Sequence, residues 1–520
     1  MPVRRSLWDR ALGAIGLTRT ATLRPRASYF SGASASRLLS DFVGSAASPD
    51  QLIRADAKTL RQRAEELVAN NSTASRVPSL FSENVIGKDG IILQPRVQST
   101  RNSDDGTPRY NKQVNEEIER GWWDWYEARN ASADGLHSWC EHETLIAERE
   151  PVAGEVCLRL LDNFENPHGF TTEVLDPAQL DWSINRKPSD VQNEIRMGVE
   201  INLWGRPVRY WVLSNHPSEG VRVGSKRYMP IPAEDLIHLY LFRYERQTRG
   251  LTWFAPVIVD LQMLGGYREA ELVAARVAAS KMGFLKSINP DGPAPNLEAE
   301  DGEDHVRWDA DPGVIEQLPE NTEFQSWDPT HPTNAFAEFD KAILRSIATA
   351  LRVSYMSLSS DLSDTTYGSG RIGLLAERAV YQKLQQRLIE KVHTRVYRRW
   401  LRSAILHGAV RLASYDPTQY HAVTWHPRAF PWIDPAADID AAEKEQKLGI
   451  NNITRMAAAQ GRDLGELLDE RKRERDEFRR RGIPHPDDLL EAEIESLKQP
   501  APPEGAGSTS GGRIRRVASA

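Results

Sequence analysis

Apolar residues recur every three to four positions along much of this chain, which is the period of an amphipathic α-helix. In the stretch 33–71, Leu52, Ala55 and Leu60 fall on one face, opposite Arg61. The same spacing predicts a series of further helices at 77–85, 115–129, 135–149, 256–286, 334–351, 371–406, 435–447, 455–459 and 463–480.

Short apolar runs between turn residues indicate β-strands. These runs occupy residues 91–97, 154–161, 171–175, 197–203, 209–213 and 235–242. Helices and strands are mixed up to about residue 255, so this part of the chain is predicted to fold as an α+β unit.

The stretch 256–286 is predicted to be one long helix. Pro256 would occupy its first turn, where proline is tolerated, and the helix would be about 45 Å long at about 1.5 Å per residue. Small side chains on it would let a neighbouring helix approach closely. They are Ala274, Ala275, Ala278 and Ala279.

Carboxylates dominate the next segment, 287–333, which holds twelve acidic residues and one basic residue, Arg307. Its Pro- and Gly-rich stretches are typical of loops, and 313–318 is compatible with a short strand. A helix at 334–351 follows. The order is therefore a helix, an acidic excursion and a returning helix.

A polar, Ser/Thr-rich loop is predicted at 354–370, before the long basic helix at 371–406. Three interpretations of the basic residues stay open: a solvated face, a contact with an acidic neighbouring subunit, and a contact with nucleic acid. The helix carries no aromatic platform for bases, which disfavours the third.

Composition narrows the class of protein. The chain has 520 residues and a formal net charge of −7, which argues against tight, non-specific nucleic-acid binding. Two cysteines, Cys140 and Cys157, fit a reducing compartment. No run of about 18 apolar residues predicts a membrane helix. The basic segment 1–32 is predicted to be a mobile arm, and the Pro/Gly/Ser-rich segment 499–520 to be disordered.

No catalytic, metal-binding or cofactor-binding constellation emerges. The stretch 220–227 has the wrong spacing for a phosphate-binding loop. On a helix, His137, Cys140 and Glu141 would share a face, but no second cluster completes a zinc site. We therefore predict no catalytic residue, no metal and no cofactor.

Several longer segments resemble the portal proteins of tailed bacteriophages, in particular the lambda type, over about residues 30–460. They include RGWWDWYEA, GEVCLRLL, IPAEDLIHLYLFRYERQTRGLTWFAPVI and LRSIATALRVSYMSLSSDLSDTTYGSGRIGLL. The most family-like positions are Arg249, Gly250, Trp253, Pro256, Tyr367 and Arg371. Gly368 departs from the family, which more often has serine there, and this affects the expected loop flexibility.

The resemblance implies a structural protein without enzymatic activity. Its subunits would form a ring, usually of twelve, at one vertex of the capsid, and double-stranded DNA would pass through the ring. The terminase large subunit would dock on it during packaging, and the major capsid protein and head-completion connector proteins would contact it. The protein would assemble in the host cytoplasm, reside in the virion and contact no membrane.

The resemblance also divides the chain into named regions. The wing would be 33–255, and 371–460 would return to it. The stem helices would be 256–286 and 334–353. The remaining regions would be an acidic clip at 287–333, a tunnel loop at 354–370 and crown helices at 461–498.

Two sets of site residues follow from this division. The tunnel loop would meet DNA through Ser359, Ser360, Asp361, Asp364, Thr365 and Thr366. The clip would dock the terminase through Glu298, Glu300, Asp301, Glu303 and Asp304. An acidic clip would also repel DNA phosphates, which keeps passing DNA from sticking.

Two alternatives stay open from the residues. One is a non-channel head protein or adaptor of the phage, which would form no ring with an axial hole. The other is a DNA-packaging nucleotide hydrolase, suggested by the basic helix but disfavoured by the missing phosphate-binding loop.

Overall fold

The structure is a computed structural model in which nine stretches of the chain are described. These are residues 46–99, 110–187, 192–218, 228–279, 283–288, 322–326, 335–412, 416–462 and 464–488.

Helices dominate the described chain. In order they are α1 (Pro49–Asn70), α2 (Ser72–Phe81), α3 (Lys112–Tyr126), α4 (Ala128–Ala131), α5 (Trp139–Ala153), α6 (Ile258–Ala279), α7 (Ala335–Leu351), α8 (Tyr355–Ser359), α9 (Tyr367–Leu388), α10 (Thr394–Leu406), α11 (Pro417–Tyr420), α12 (Pro435–Lys447), α13 (Ile453–Ala459) and α14 (Leu464–Arg480). A π-turn, Ser82–Ile86, extends α2, and another, Ile389–His393, joins α9 to α10.

The strands form small antiparallel sheets. In order they are β1 (Ile92–Pro95), β2 (Glu155–Asp162), β3 (Phe170–Leu175), β4 (Glu194–Arg196), β5 (Val199–Ile201), β6 (Pro207–Leu213), β7 (Tyr228–Pro232), β8 (Leu236–Tyr240), β9 (Gly283–Ser287), β10 (Thr322–Ser326) and β11 (Val423–His426). This mixture of helices and separate antiparallel strands confirms the α+β class.

Two sheets build the region before α6. One has the order β3-β2-β8, and the other is a meander in the order β4-β5-β6-β7. The first five residues of β2 are buried or nearly so. Val156 and Leu158 pack in a core shared with the helices, and Cys157 packs against residues of the second sheet. At the edge of the meander, β7 pairs with β6 alone among the described strands, and it carries Pro230 and Pro232. Proline is tolerated there because an edge strand leaves alternate N–H groups unpaired.

An aromatic cluster joins the α9–α10 helix to this region. Trp122 and Trp125 of α3 are fully buried against Trp400 of α10, with ring centroids of Trp122 and Trp400 5.1 Å apart. Trp139 of α5 completes the cluster, and the Trp125 indole N–H donates to the carbonyl of Phe170 at 3.0 Å. Residues distant in sequence thus share one core.

Several helix starts differ from the prediction because side chains cap the backbone. The helix predicted at 77–85 begins at Ser72, since Asn71 accepts from the amides of Thr73 and Ala74. The helix predicted from residue 135 begins at Trp139, after a capping box closed by Ser138. The first helix begins at Pro49, and its predicted part before residue 46 lies outside the described residues.

The predicted helix at 256–286 is wrong at both ends. Pro256 lies in the turn that precedes α6, which begins at Ile258. Beyond the end of α6, the chain forms β9, which pairs antiparallel with β10, so Ser287 lies opposite Thr322. A strand therefore occupies positions that helical spacing had assigned to a helix. The possible strand at 313–318 lies outside the described residues.

The polar loop predicted at 354–370 is largely ordered into helix. Five of its residues form α8, and Tyr367 begins α9 because Thr366 caps it with its hydroxyl. Tyr367–Gly370 is therefore a first helical turn and not the end of a loop. By contrast, the helix predicted at 435–447 has the predicted bounds and an Asp434 cap. None of the described helices is both long and apolar enough to cross a membrane.

Candidate functional site

The segment between α7 and α9 is short and held by its own hydroxyl groups. Ser354 caps α8 by accepting from the Ser357 amide at 3.1 Å, and Ser360 ends it in the left-handed conformation, with φ of 57°. The Ser359 hydroxyl donates to the Tyr355 carbonyl at 2.7 Å. The hydroxyl groups of Ser354 and Ser359 therefore fix the local backbone.

Asp361 is the hydrogen-bond centre of this segment. Its carboxylate accepts from the amide and hydroxyl of Ser363, at 2.9 and 2.7 Å, and from the Tyr355 hydroxyl at 2.8 Å. These hydrogen bonds, led by the one from the Ser363 side chain, lower the pKa of Asp361 to about 2. The group is thus ionised and satisfied within the segment.

Asp364 is paired with two cations of α7. Its carboxylate lies 2.9 Å from the Lys341 ammonium and 3.4 Å from the Arg345 guanidinium. The hydrogen bond to Asp364 raises the pKa of Lys341. Lys341 and Arg345 were missed from the sequence, although their spacing of four places them on one helical face.

The six predicted tunnel-loop residues thus fall into two groups. Ser359, Asp361 and Thr365 are half-buried, while Ser360, Asp364 and Thr366 are exposed. Leu362, which the sequence reasoning passed over, is 67% exposed beside them. The five predicted clip residues lie outside the described residues.

Tyr367 and Arg371 bind the helix α12 from the first turns of α9. The Tyr367 hydroxyl donates to Asp434 at 3.2 Å, and Arg371 pairs with Asp438 at 2.6 Å. Arg371 also donates to the Tyr367 hydroxyl at 3.3 Å. Because α12 contains no buried residue, these polar contacts are prominent among those that attach it to the rest of the chain.

Arg249 occupies a very different setting, fully buried between the two sheets before α6. Its guanidinium pairs with Glu155 of β2, with Nε 2.9 Å from Oε2. An Nη2 N–H donates to Oε1 of the same carboxylate at 2.5 Å, the remaining N–H groups donate to backbone carbonyls, and the guanidinium lies 3.9 Å from the centre of the Trp182 ring. Those carbonyls belong to Leu180, Met197 and Pro177. All five guanidinium donors are therefore satisfied.

The charges of this cluster are balanced inside the fold. Burial by itself would raise the pKa of Glu155, but the Arg249 guanidinium outweighs it and holds that pKa below its usual range. His238 donates to Glu155 across 2.9 Å, and burial lowers the pKa of this histidine, so its imidazole is neutral. One cation thus matches one anion, as a stable buried pair requires.

Gly250 follows Arg249 at a point where its backbone packs directly against the backbone of Gly154. Its amide donates to Glu155 at 2.8 Å, and a Cβ on Gly250 would lie 2.2 Å from the carbonyl oxygen of Gly154. Trp253 is buried with its ring 4.9 Å from that of Phe81. The motif Arg249–Trp253 therefore organises the fold and presents no surface for a ligand.

Several cations of the basic helix are bound within the chain. Arg387 pairs with the buried Glu150 at 2.7 Å, and Arg399 lies 2.8 Å from Asp162. Burial raises the pKa of Glu150, and Arg387 opposes that shift. These positions are therefore internal cross-links, an interpretation that the sequence had not offered.

The sequence predicted no metal site, because His137, Cys140 and Glu141 would share a helical face without a second cluster to complete the ligand set. Glu141 closes the capping box of α5 by accepting from the Ser138 amide at 2.7 Å. Within the described ranges, no group of three His, Cys, Asp or Glu side chains is placed to hold a metal ion.

Comparison with known proteins gives consistent matches. A family model described as phage portal protein, lambda family, matches residues 35–385. A probable portal protein of Halomonas phage phiHAP-1 is 30% identical over 465 residues, which cover 88% of each chain. Portal protein B of Escherichia phage lambda is 22% identical and covers 82% of this chain and 84% of its own. A chain from the neck of a native gene transfer agent particle aligns with a TM-score of 0.44, at 15% identity, over 78% of this chain and 93% of its own.

Proposed function

Because this chain belongs to the lambda family of phage portal proteins, we propose that twelve copies of it close into a ring through which double-stranded DNA enters and leaves the capsid. As a phage portal protein, it belongs to the virion, at the portal vertex of the capsid. The observation that carries the proposal is the family match, which spans residues 35–385. We assign the wing, stem and tunnel loop within that span.

In this ring, α6 and α7 would be the stem. They are joined by Arg268, whose guanidinium is bidentate to Asp340 at 2.7 and 2.9 Å. Further along the two helices, the ring centroids of Tyr267 and Phe336 lie 5.5 Å apart. A helix pair fixed by charge-assisted bonds and aromatic contact would behave as one stiff unit beside the DNA.

The segment 354–366 would be the tunnel loop. Its two carboxylates are already satisfied, Asp361 by hydroxyl groups and Asp364 by Lys341 and Arg345. A surface whose charges are compensated releases few counterions when DNA approaches. Such a loop would touch DNA weakly and without sequence preference, which suits a molecule that must slide past it.

The β9–β10 pair would form the base of the clip, and the acidic residues Glu298, Glu300, Asp301, Glu303 and Asp304 would lie beyond it. We propose that this region docks the terminase large subunit, and that the major capsid protein and head-completion proteins contact the ring elsewhere. Reversing Glu298, Glu300, Asp301 and Glu303 to lysine is expected to weaken terminase docking or slow DNA passage. Normal behaviour in both assays would reduce the segment to a spacer.

The family is one of structural rather than catalytic proteins, and we propose that this chain catalyses no reaction. The purified protein is expected to hydrolyse no ATP, whether DNA is absent or present, and to leave added DNA uncut. Measurable ATP turnover that follows the protein through purification would favour the packaging-hydrolase alternative.

Imaging the purified particle down its axis tests the central proposal. Negative-stain or cryo-electron microscopy, with native mass spectrometry for the subunit number, is expected to show a dodecameric ring with an open hole. A stable monomer under assembly conditions, or a closed particle without a hole, would instead favour the non-channel adaptor. Deleting residues 359–366 is expected to leave the ring intact while DNA packaging or retention fails.

A further inference from the structure

The tip of the β5–β6 hairpin, residues 202–205, carries two large apolar side chains almost fully in solvent. Leu203 is 90% exposed and Trp204 is 88% exposed. Covering large apolar side chains with a partner removes apolar surface from water, which is favourable, so their exposure together marks a contact surface. Phe242 is 69% exposed and lines the same cavity as Leu203 and Trp204.

This tip is rigid. The Asn202 side chain accepts from the amides of Trp204 and Arg206, each at 3.0 Å, and the Asn202 backbone pairs with Arg206 at 3.0 Å. Gly205 has φ of 78°, a conformation that favours glycine. A pre-organised turn loses little entropy when its side chains are buried by a partner.

Between the tip and α9 lies a cavity of about 1550 Å³, which we call the basic groove. It is larger than the roughly 300–1,000 Å³ of small-molecule pockets, so it suits a protein segment. Besides Leu203, Trp204 and Phe242, its lining includes Arg246, Lys383 and Lys391.

The charges in the basic groove are unbalanced. Arg246, Lys383 and Lys391 are exposed, and within the described part of the chain none of their side chains has an ion-pair or hydrogen-bond partner. The acidic groups of the lining are engaged, Glu194 with Arg196 at 2.9 Å and Glu390 with the Gln386 amide at 2.8 Å. The groove therefore fits an acidic segment that also bears apolar side chains.

The chain itself carries a segment of that chemistry. Helix α12 holds four acidic and two basic residues, and Asp438 pairs with Arg371 and Glu443 with Lys447. Asp440 and Glu445 therefore leave it net acidic beside Lys444, together with the exposed Ile439, Leu448 and Ile450. No residue of α12 is buried in its own subunit. Two different complementary faces on one chain give a head-to-tail contact that can close into a ring.

We propose that the basic groove and its hairpin tip are a subunit–subunit interface, occupied by an acidic, apolar segment of a second copy of this chain. This inference rests on the proposed ring and names the surface that would hold it. It assigns Trp204 as the apolar anchor of the contact, and Lys383 and Lys391 as its charge-matching residues.

The test compares assembly of two variants with matched controls. Leu203→Ala with Trp204→Ala removes the anchors, and Lys383→Glu with Lys391→Glu reverses the charge. Leu136→Ala and Lys58→Glu alter exposed residues that do not line the groove. Loss of anchors worth about 2 kcal/mol or more corresponds to more than tenfold weaker association. Both groove variants are expected to need at least tenfold more protein to form rings, with unchanged melting temperatures, while both controls assemble as wild type does.

A photo-crosslinking amino acid at position 204 gives an independent measurement. In wild-type rings it is expected to join two subunits. Groove variants that assemble at wild-type concentration, or a crosslinker that captures only its own subunit or a different capsid protein, would overturn this inference and leave the ring proposal standing. A wild-type chain that forms no ring would overturn both.

Discussion

Two regions that share family-like residues differ in almost every physical respect. The Arg249 cluster is dry: its guanidinium is fully buried, and each donor has a partner. The Tyr367–Arg371 turn lies at the surface, where Tyr367 is 63% exposed and its partners come from α12. Recurrence of a residue in a family therefore says little about its role until its surroundings are known. The first region fixes the two sheets before α6, whereas the second joins α9 to α12.

The largest effect is expected from breaking the buried pair. Arg249→Met would leave Glu155 charged and buried, a loss of about 3–5 kcal/mol in the free energy of unfolding. Urea denaturation of the unassembled subunit measures it. Arg54→Met, at an exposed arginine of α1, is the control and should change little. A loss of less than about 1 kcal/mol for Arg249→Met would show that the cluster is less essential than its geometry implies.

Two glycine substitutions sharpen the comparison. Gly250→Ala would push a Cβ to 2.2 Å from the Gly154 carbonyl oxygen, and overpacking of this kind costs about 1–3 kcal/mol or more. Gly368→Ala meets nothing within 4 Å in the first turn of α9, and it should gain up to about 1 kcal/mol from helix propensity. Thermal unfolding of both variants is expected to shift in opposite directions. Shifts of the same sign would contradict the contrast between the regions.

Mild acid is expected to affect a buried group, His142 of α5, before it affects the carboxylate of Asp361. Burial lowers the pKa of His142 from 6.5 to about 4, so between these values the unfolded chain binds a proton that the folded chain does not. Stability therefore falls as the pH is lowered through this window, by about 1–2 kcal/mol between about pH 7 and about pH 5. Asp361, with its pKa of about 2, stays ionised throughout.

The measurement for this effect is the urea midpoint as a function of pH. His142→Asn keeps a polar side chain near Thr172 and should flatten the profile between about pH 6.5 and about pH 4. An unchanged slope in that variant would assign the acid sensitivity to another group.

The smallest global effect is expected at the surface. Arg371→Met removes the ion pair with Asp438, and an exposed pair contributes little to the free energy of unfolding because water screens its charges. The local effect should be larger, since α12 has no buried residue to hold it. Hydrogen exchange of α12 amides is expected to accelerate while that of β2 stays unchanged. Equal protection of α12 in the variant and the wild type would show that other contacts hold this helix.

Periodicity predicted most of the fold, because helical and strand spacings are local properties of the chain. The apolar strand at 154–161 and the capped helix at 435–447 needed no distant partner to be found. β7 was missed because Pro230 and Pro232 normally argue against a strand, and only its edge position makes them acceptable. α8 was missed because its serines are typical of loops, while in the fold they cap and support a helix.

The role of the family-like residues could not be predicted in the same way. Arg249 and Gly250 were singled out, but their partner Glu155 lies 94 and 95 positions earlier in the chain. The basic helix had three open interpretations, and part of its charge is matched inside the subunit, as the Arg387–Glu150 pair shows. Long-range pairing of this kind leaves no local signal in composition or spacing.

The two prolines of β7 have a consequence for assembly. The neighbouring Ala233 amide points inward and donates to the Val208 carbonyl at 3.0 Å, so positions 230 and 232 face outward, where proline offers no donor. An incoming strand would find two missing bonds there and could not extend the sheet. Strand-by-strand polymerisation into fibres through this edge of the sheet is thereby disfavoured.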